Sequence, residues 1–386
     1  MSDKQRRVVI LSEIIAPYRI PVFNALARNE AIDLRVVFLS ETDAGLRQWR
    51  VYKDEISFPY EVLPSWRLRA GRHNLLLNWG LRTSLKKFAP ETVICGGYNY
   101  VASWEALSWT RRHRAELILW SESNAQDARE GRAWIESLKM RFLSGCDRFV
   151  VPGKSAFEYL DALGLQREKI WIAPNAVDNA WFQSQSHGLQ QTESAFREKF
   201  DLPPRYVLFV GRLVAEKGIF DLLDAYAKLE DDVRSKVGLV FAGDGLCRME
   251  LEQQAKRVSP GRICFPGFAH REELAGLYAF AETLVLPTHS DPWGLVVNEA
   301  MACGLPIIVT SIAGCAADLV QDGRNGYIVP PRNPAKLGAA LDCILRNPTL
   351  RDQMSLQSAE RIQEYSPEAC AHGLAAAALS ARSEGR

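Results

Sequence analysis

Apolar residues along the chain fall into short β-branched runs separated by longer stretches with helical spacing. Val8 to Leu11, Leu34 to Phe38, Thr92 to Cys95, Leu117 to Trp120 and Arg148 to Val151 read as strands. Continuous apolar runs, as opposed to alternating ones, mark strands covered on both faces, so the pattern predicts a parallel sheet flanked by helices. It breaks at residues 183–200, where QSQSHGLQQTESAFREKF loses apolar periodicity before Leu202-Pro203-Pro204. We read 183–202 as an interdomain linker. A second series follows at Tyr206 to Val210, Val237 to Ala242, Arg262 to Phe265, Thr283 to Leu286 and Pro306 to Val309. The Ala-rich tail, about 367–386, reads as a terminal helix free to pack back on the first domain. The expected fold class is α/β, with two doubly wound Rossmann-like domains, 1–182 and 203–366, facing across a cleft between strand C-termini, where such sheets bind ligands.

Length agrees with two domains, because 386 residues exceed what one hydrophobic core ordinarily serves. With 47 Lys and Arg against 46 Asp and Glu, the net charge of +1 gives no argument for nucleic-acid binding, so any electrostatic role is local. The eight cysteines contain no C-x-x-C pair and no clustered histidines accompany them; they read as reduced core thiols of a cytoplasmic protein. Basic residues precede an apolar run at the N-terminus, but Glu13 interrupts it, and a first strand is the better reading than a signal peptide. No run of about 18 apolar residues predicts a transmembrane helix.

Three stretches carry chemistry. Val207 to Gly218 is an apolar strand feeding a loop that holds Gly211, Arg212 and Lys217. Two cations beside a helix N-terminus suit a diphosphate, although two surface cations on a solvated turn would look the same. Phe241-Ala242-Gly243-Asp244-Gly245 is a second strand ending in a glycine-flanked turn, able to border a ligand or simply to turn tightly. The most informative stretch runs from Leu286 to Pro306: a loop presents Asp291, Gly294 and Leu295 open a helix, and Glu299 sits in a small, apolar helical run. A carboxylate there needs donors, and sugar or ribose hydroxyls would supply them. The alternative makes Asp291 a helix cap and Glu299 a structural acid.

Taken in order, Gly211-Arg212-Leu213, Glu216-Lys217-Gly218, Gly243-Asp244-Gly245, the acid-x7-acid run from Asp291 to Glu299, and Pro174-Asn175-Ala176-Val177-Asp178 with Phe182 resemble glycosyltransferase family 4, which has the GT-B fold. The resemblance covers residues 148 to 345. It implies a retaining transfer from a nucleotide sugar without a metal or other cofactor. Arg212 and Lys217 would hold the diphosphate and stabilise the departing nucleotide, and Asp291 would touch donor-sugar hydroxyls. The Gly294 and Leu295 N–H groups would meet sugar or phosphate, Gly211 and Gly243 would border the nucleotide, and Glu299 would bind the ribose. The chain departs from the family where Asp291 replaces the usual first Glu. It departs again where Ser12 to Arg19 replaces a Gly-rich loop, and where Trp120-Ser121-Glu122-Ser123-Asn124 lacks the usual histidine. Glu122 is the candidate polar group at that position, orienting the acceptor hydroxyl; a surface Glu on a polar loop is the alternative.

Residues 65–88 hold Arg67, Arg69, Arg72, Arg82, Lys86 and Lys87 with no acid, beside Trp66 and Trp79. The favoured reading is a loop followed by a domain helix with a solvated basic face, since Leu75 to Leu77 would be needed for the core. Peripheral contact with the inner membrane face, or with a lipid-diphosphate acceptor, is the other. The expected partners are then a UDP-sugar in preference to a GDP-sugar, a glycan or lipid-linked acceptor, and no nucleic acid. Two competing readings are a GT-B scaffolding subunit that binds glycan without catalysis, and a nucleotide-sugar epimerase.

Overall fold

The computed structural model describes residues 5–43, 49–70, 73–124, 133–189, 193–258 and 262–381. The chain forms two units, one of residues 1–176 with the segment from Pro367 onward, the other Val177–Ser366. Arg72, residues 190–192 of the expected linker and residues 382–386 of the tail lie outside the described residues.

The first unit holds strands β1 (Arg6–Ser12), β2 (Ile32–Phe38), β3 (Tyr60–Val62), β4 (Ser65–Ala70), β5 (His73–Asn78), β6 (Thr92–Cys95), β7 (Glu116–Trp120), β8 (Arg148–Val151) and β9 (Ile170–Ile172). Seven form a parallel sheet in the order β3-β2-β1-β6-β7-β8-β9, and β4 and β5 form a separate antiparallel hairpin. Because each central strand is apolar on both sides, the sheet builds two cores. Val8, Ile10 and Ile118 pack under the Ile20–Ala27 helix and the terminal Pro367–Leu379 helix. Val9, Val93 and Leu117 pack under the helices Leu81–Phe88, Val101–His113 and Ala133–Leu143.

The second unit holds β10 (Tyr206–Val210), β11 (Gly238–Ala242), β12 (Ile263–Gly267), β13 (Thr283–Leu286), β14 (Ile307–Thr310) and β15 (Gly326–Val329). They form one parallel sheet ordered β12-β11-β10-β13-β14-β15. Every residue of β10 is buried, as a strand covered on both faces requires. The order reverses at β10, whose neighbours are β11 on one side and β13 on the other, and ligands bind at such a reversal in open α/β sheets.

Three expectations need correction. The polar stretch 183–202, read as an interdomain linker, lies within the second unit and carries the end of the Asn179–Gly188 helix and the whole Glu193–Lys199 helix, the former capped by the Asp178 carboxylate on the Trp181 N–H. Capping and exposed polar faces make those helices without an apolar stripe. Residues 65–78 are a hairpin and not a loop, and of Leu75 to Leu77 only Leu76 is buried, Leu75 being 43% exposed. Among the cysteines, Cys343 is exposed, its sulfur 3.0 Å from the Tyr327 hydroxyl. No helix of the described residues is long and apolar enough to cross a membrane.

One buried charge cluster ties the tail to the first sheet. Glu116, 2% exposed at the start of β7, pairs with both Arg6 and Arg148. Arg148 also donates to the carbonyl oxygens of Ser380 at 3.0 Å and Ala381 at 2.7 Å. Removing the shared carboxylate leaves buried positive charge uncompensated, which costs about 3 to 5 kcal/mol. Glu116→Ala is therefore expected to lower the urea midpoint of the first unit by that equivalent, read by circular dichroism, and to increase amide exchange in the terminal helix.

Candidate active site

Three loops leave the C-terminal ends of β10, β11 and β13 side by side, and backbone contacts lock them together. The loop after β10 donates Gly211 N–H to the Ala242 carbonyl at 3.0 Å and Leu213 N–H to the Asp244 carbonyl at 2.9 Å. On its other flank the His289 N–H donates to the Glu216 carbonyl at 2.8 Å, and the Thr288 hydroxyl to the same oxygen at 3.2 Å. The chains approach so closely that a Cβ at Gly243 would stand 1.9 Å from the Gly211 carbonyl oxygen, and one at Gly218 would stand 1.9 Å from that of Pro287. Only glycine fits there, and Gly218 also adopts φ of +68° where it opens the Ile219–Ala227 helix.

This arrangement puts Lys217 and Asp291, 74 residues apart in sequence, 2.5 Å from each other. Both side chains are shielded, at 16% and 15% exposure. Asp291 does not cap the following helix: the cap is Gly294, in left-handed geometry at φ of +100°, and the Leu295–Ala302 helix has no side-chain cap. Its first N–H groups are available to an anion. Arg212 is exposed and carries no ion pair or side-chain hydrogen bond among the described residues. The predicted residues Gly211, Arg212, Lys217, Gly243, Asp291, Gly294 and Leu295 thus gather on one sheet edge, with the helix of Glu299 leading away from it.

Glu299 is half-buried and accepts a 2.6 Å hydrogen bond from the hydroxyl of the fully buried Tyr278. Burial raises its pKa from 4.5 to about 7, against the Tyr278 hydrogen bond, which favours the carboxylate. Tyr278 escaped the sequence reading, since nothing local distinguishes it from other apolar positions of the Arg271–Ala279 helix.

Glu122 belongs to the first unit. It lies two residues beyond β7, half-exposed, and pairs with Arg19. The Arg19 guanidinium lies over the Trp120 ring, 3.9 Å from its centroid, and donates to the Asn175 side-chain oxygen at 3.2 Å. A cation at that place was the missed residue here; its only sequence signal is Ala16-Pro17-Tyr18-Arg19 following the first strand.

Comparison with known proteins bears on these loops. The model described as Glycosyl transferases group 1 matches residues 190–361, and that of Glycosyltransferase Family 4 matches 24–181. The glycogen synthase of Mycobacterium tuberculosis is 32% identical over 339 residues, covering 83% of this chain and 77% of the relative. The chain belongs to glycosyltransferase family 4. This family 4 member is also similar to the alpha-D-kanosaminyltransferase of Streptomyces kanamyceticus, at 33% identity over 165 residues, a match spanning 42% of each chain and so less than half of that relative. Among solved structures, HepE of Anabaena with UDP and glucose has a TM-score of 0.73 at 16% identity, covering 96% of this chain and 98% of that one. Sucrose-phosphate synthase of Thermosynechococcus elongatus has a TM-score of 0.71 at 19% identity, with coverages of 96% and 98%. These likenesses show the GT-B fold.

The raised pKa of Glu299 has a stability consequence. An acid whose folded pKa lies above its unfolded value favours folding when protonated, so its contribution is intact below pH 4.5 and lost as pH rises through about 7. Each unit corresponds to about 1.4 kcal/mol, so the ionised carboxylate costs about 3 kcal/mol at pH 8. Glu299→Gln is expected to be more stable than the natural protein at pH 8 by up to that amount, with the difference vanishing toward pH 4.5, as measured by urea denaturation across pH.

Proposed function

We propose that the protein is a retaining glycosyltransferase that moves a sugar from a nucleotide diphosphate, with UDP favoured, to a hydroxyl of a glycan or lipid-linked acceptor. The single observation carrying this is the Lys217–Asp291 pair beside the unpaired Arg212, on an edge that also presents an uncapped helix N-terminus. Family membership supports sugar transfer, and the UDP named in the HepE complex supports the choice of base.

In this reading the incoming diphosphate competes with Asp291 for the Lys217 ammonium. Lys217 and Arg212 then share the phosphate charge, and Asp291, released from its partner, accepts from a donor-sugar hydroxyl. The Leu295–Ala302 helix turns its first N–H groups toward the anion, and the Glu299 carboxylate accepts from the ribose. The bond between the anomeric carbon and the β-phosphate oxygen breaks as the acceptor oxygen bonds that carbon from the same face. The acceptor's proton passes to the departing phosphate oxygen, so no enzyme nucleophile is required. Positive charge fixed at the leaving group is what lowers the barrier. On the first unit, Glu122 held by Arg19 orients the acceptor hydroxyl. The scaffold and epimerase readings differ in turnover: a scaffold releases no nucleotide, and an epimerase turns over without acceptor.

Calorimetry with UDP and GDP tests the donor site. Arg212→Ala and Lys217→Met each remove a charge-assisted hydrogen bond worth about 1.5 to 3 kcal/mol, so affinity for the preferred nucleotide should fall about 10- to 100-fold. Absence of binding by the unaltered protein would overturn the reading. Glu299 adds a pH signature: the ionised carboxylate accepts two ribose hydroxyls and the protonated one does so poorly, so affinity should drop as pH falls from 8 to 6. In Glu299→Gln that drop should disappear.

A further inference from the structure

The β4–β5 hairpin is polar side in and apolar side out. Residues alternate across an antiparallel ribbon, so Arg67 and its partner Leu76 share one face, while Trp66, Leu68 and Leu75 share the other. The inner face docks: Leu76 is buried, and the Arg67 guanidinium pairs with Glu13 at 3.1 Å and Asp43 at 2.7 Å. The outer face is left to solvent, and Trp79 at the hairpin's exit joins it. Val101 and Ile135, on the first turns of two helices of the same layer, are exposed as well. All six side chains are between 42% and 56% exposed. Lone exposed apolar residues are ordinary; six of them, two being tryptophan, on neighbouring elements of one helical layer are not.

Charge identifies what this face fits. Between Val62 and Ala115 the sequence has nine Lys and Arg against two acids, in a chain whose total is only +1. Both acids are already engaged, Glu105 by Arg82 and Glu91 by Arg7. Lys86, Lys87, Arg111 and Arg112 on the outward sides of the same layer are exposed and carry no ion pair among the described residues. Exposed tryptophan and leucine on a layer that also carries exposed cations without ion pairs match the headgroup zone of a bilayer containing anionic lipid.

We propose that this face, centred on the β4–β5 hairpin, binds the surface of an anionic phospholipid bilayer and brings the first unit to a lipid-linked acceptor. The surface contact rests on this exposed face and not on the donor chemistry; only the acceptor clause deepens the transferase reading.

Vesicle flotation of the full chain tests it, with phosphatidylcholine alone and with phosphatidylcholine containing about one third phosphatidylglycerol, a content at which surface cations are strongly attracted. The natural protein should float with the anionic vesicles at least tenfold better than with neutral ones, and the advantage should shrink as salt is raised. Trp66→Ser/Trp79→Ser should lose at least tenfold, and Lys86→Gln/Lys87→Gln severalfold. All four positions are exposed, so the variants should keep the natural thermal transition and nucleotide affinity, which shows that they are folded. Equal flotation of the tryptophan variant, or no preference for anionic vesicles at low salt, would overturn the proposal. So would a Trp66-dependent dimer in sedimentation without lipid, which would assign the face to a second copy. Arg212→Ala should float normally, so failure of the donor-site reading and failure of this one are distinguishable.

Discussion

One ion pair organises the second unit's active edge. Lys217 and Asp291 come from different loops, and neither loop alone would hold its charge at that point. The pair is almost closed to solvent, so its two desolvation penalties offset much of its Coulomb attraction. Its use is in position and not in net stability. The backbone around it is fixed by bonds that do not depend on the pair, from His289 and Thr288 to the Glu216 carbonyl and from Gly314 N–H to the Asp291 carbonyl at 3.0 Å. The proposed exchange, in which a ligand phosphate takes Lys217 from Asp291, would therefore leave these backbone bonds in place. Beside it, Arg212 carries no ion pair among the described residues, and the helix that begins at Gly294 has no side-chain cap.

Much of this was legible in the sequence, for an identifiable reason. Central strands of parallel sheets are continuous apolar runs, and Thr92–Cys95, Arg148–Val151, Tyr206–Val210 and Thr283–Leu286 are found as read. The strands that escaped, β3, β9 and β15, are three or four residues long and lie at sheet edges, where one flank is free and the apolar demand is weaker. The glycine after β11 stands where a backbone does come close, that of the β10 loop at Gly211. What spacing could not show is which side chains meet across those approaches. Lys217 meeting Asp291, Tyr278 meeting Glu299 and Arg19 meeting Glu122 are all long-range contacts set by strand order. The β4–β5 hairpin is a different lesson: Trp66-Arg67-Leu68-Arg69 alternates with period two, and that signal was overridden by the count of cations and the assumption that neighbouring leucines go inward.

The two units place their charges under opposite constraints. In the second, Glu299 is held where burial disfavours its ionised form, with a single tyrosine hydroxyl in compensation. Such a group destabilises the resting fold when ionised, a cost consistent with the ligand role proposed for it. In the first, Arg19 is enclosed by the Trp120 ring, the Asn175 amide and the Glu122 carboxylate. That guanidinium is satisfied at rest, so the Glu122 carboxylate is held in place by its Arg19 partner.

The shortened acid at 291 follows from the same logic. A glutamate there would carry its carboxylate farther from the backbone by one carbon–carbon bond, about 1.5 Å. Asp291 instead sits close to its own loop, where the Trp293 N–H approaches its second oxygen at 3.4 Å and Lys217 must reach across to it. The short side chain thus meets Lys217 close to the β13 loop. With Asp291→Glu the carboxylate would project into the space the sugar occupies and would shift Lys217 with it. In the proposed reading Arg212 and Glu299 hold the nucleotide, so its affinity should change by less than threefold. Turnover should fall by an order of magnitude or more, since a misplacement of about 1 Å at the reacting centre costs about 100-fold. A change of similar size in both quantities would mean that Asp291 belongs to the nucleotide's grip and not to the sugar's.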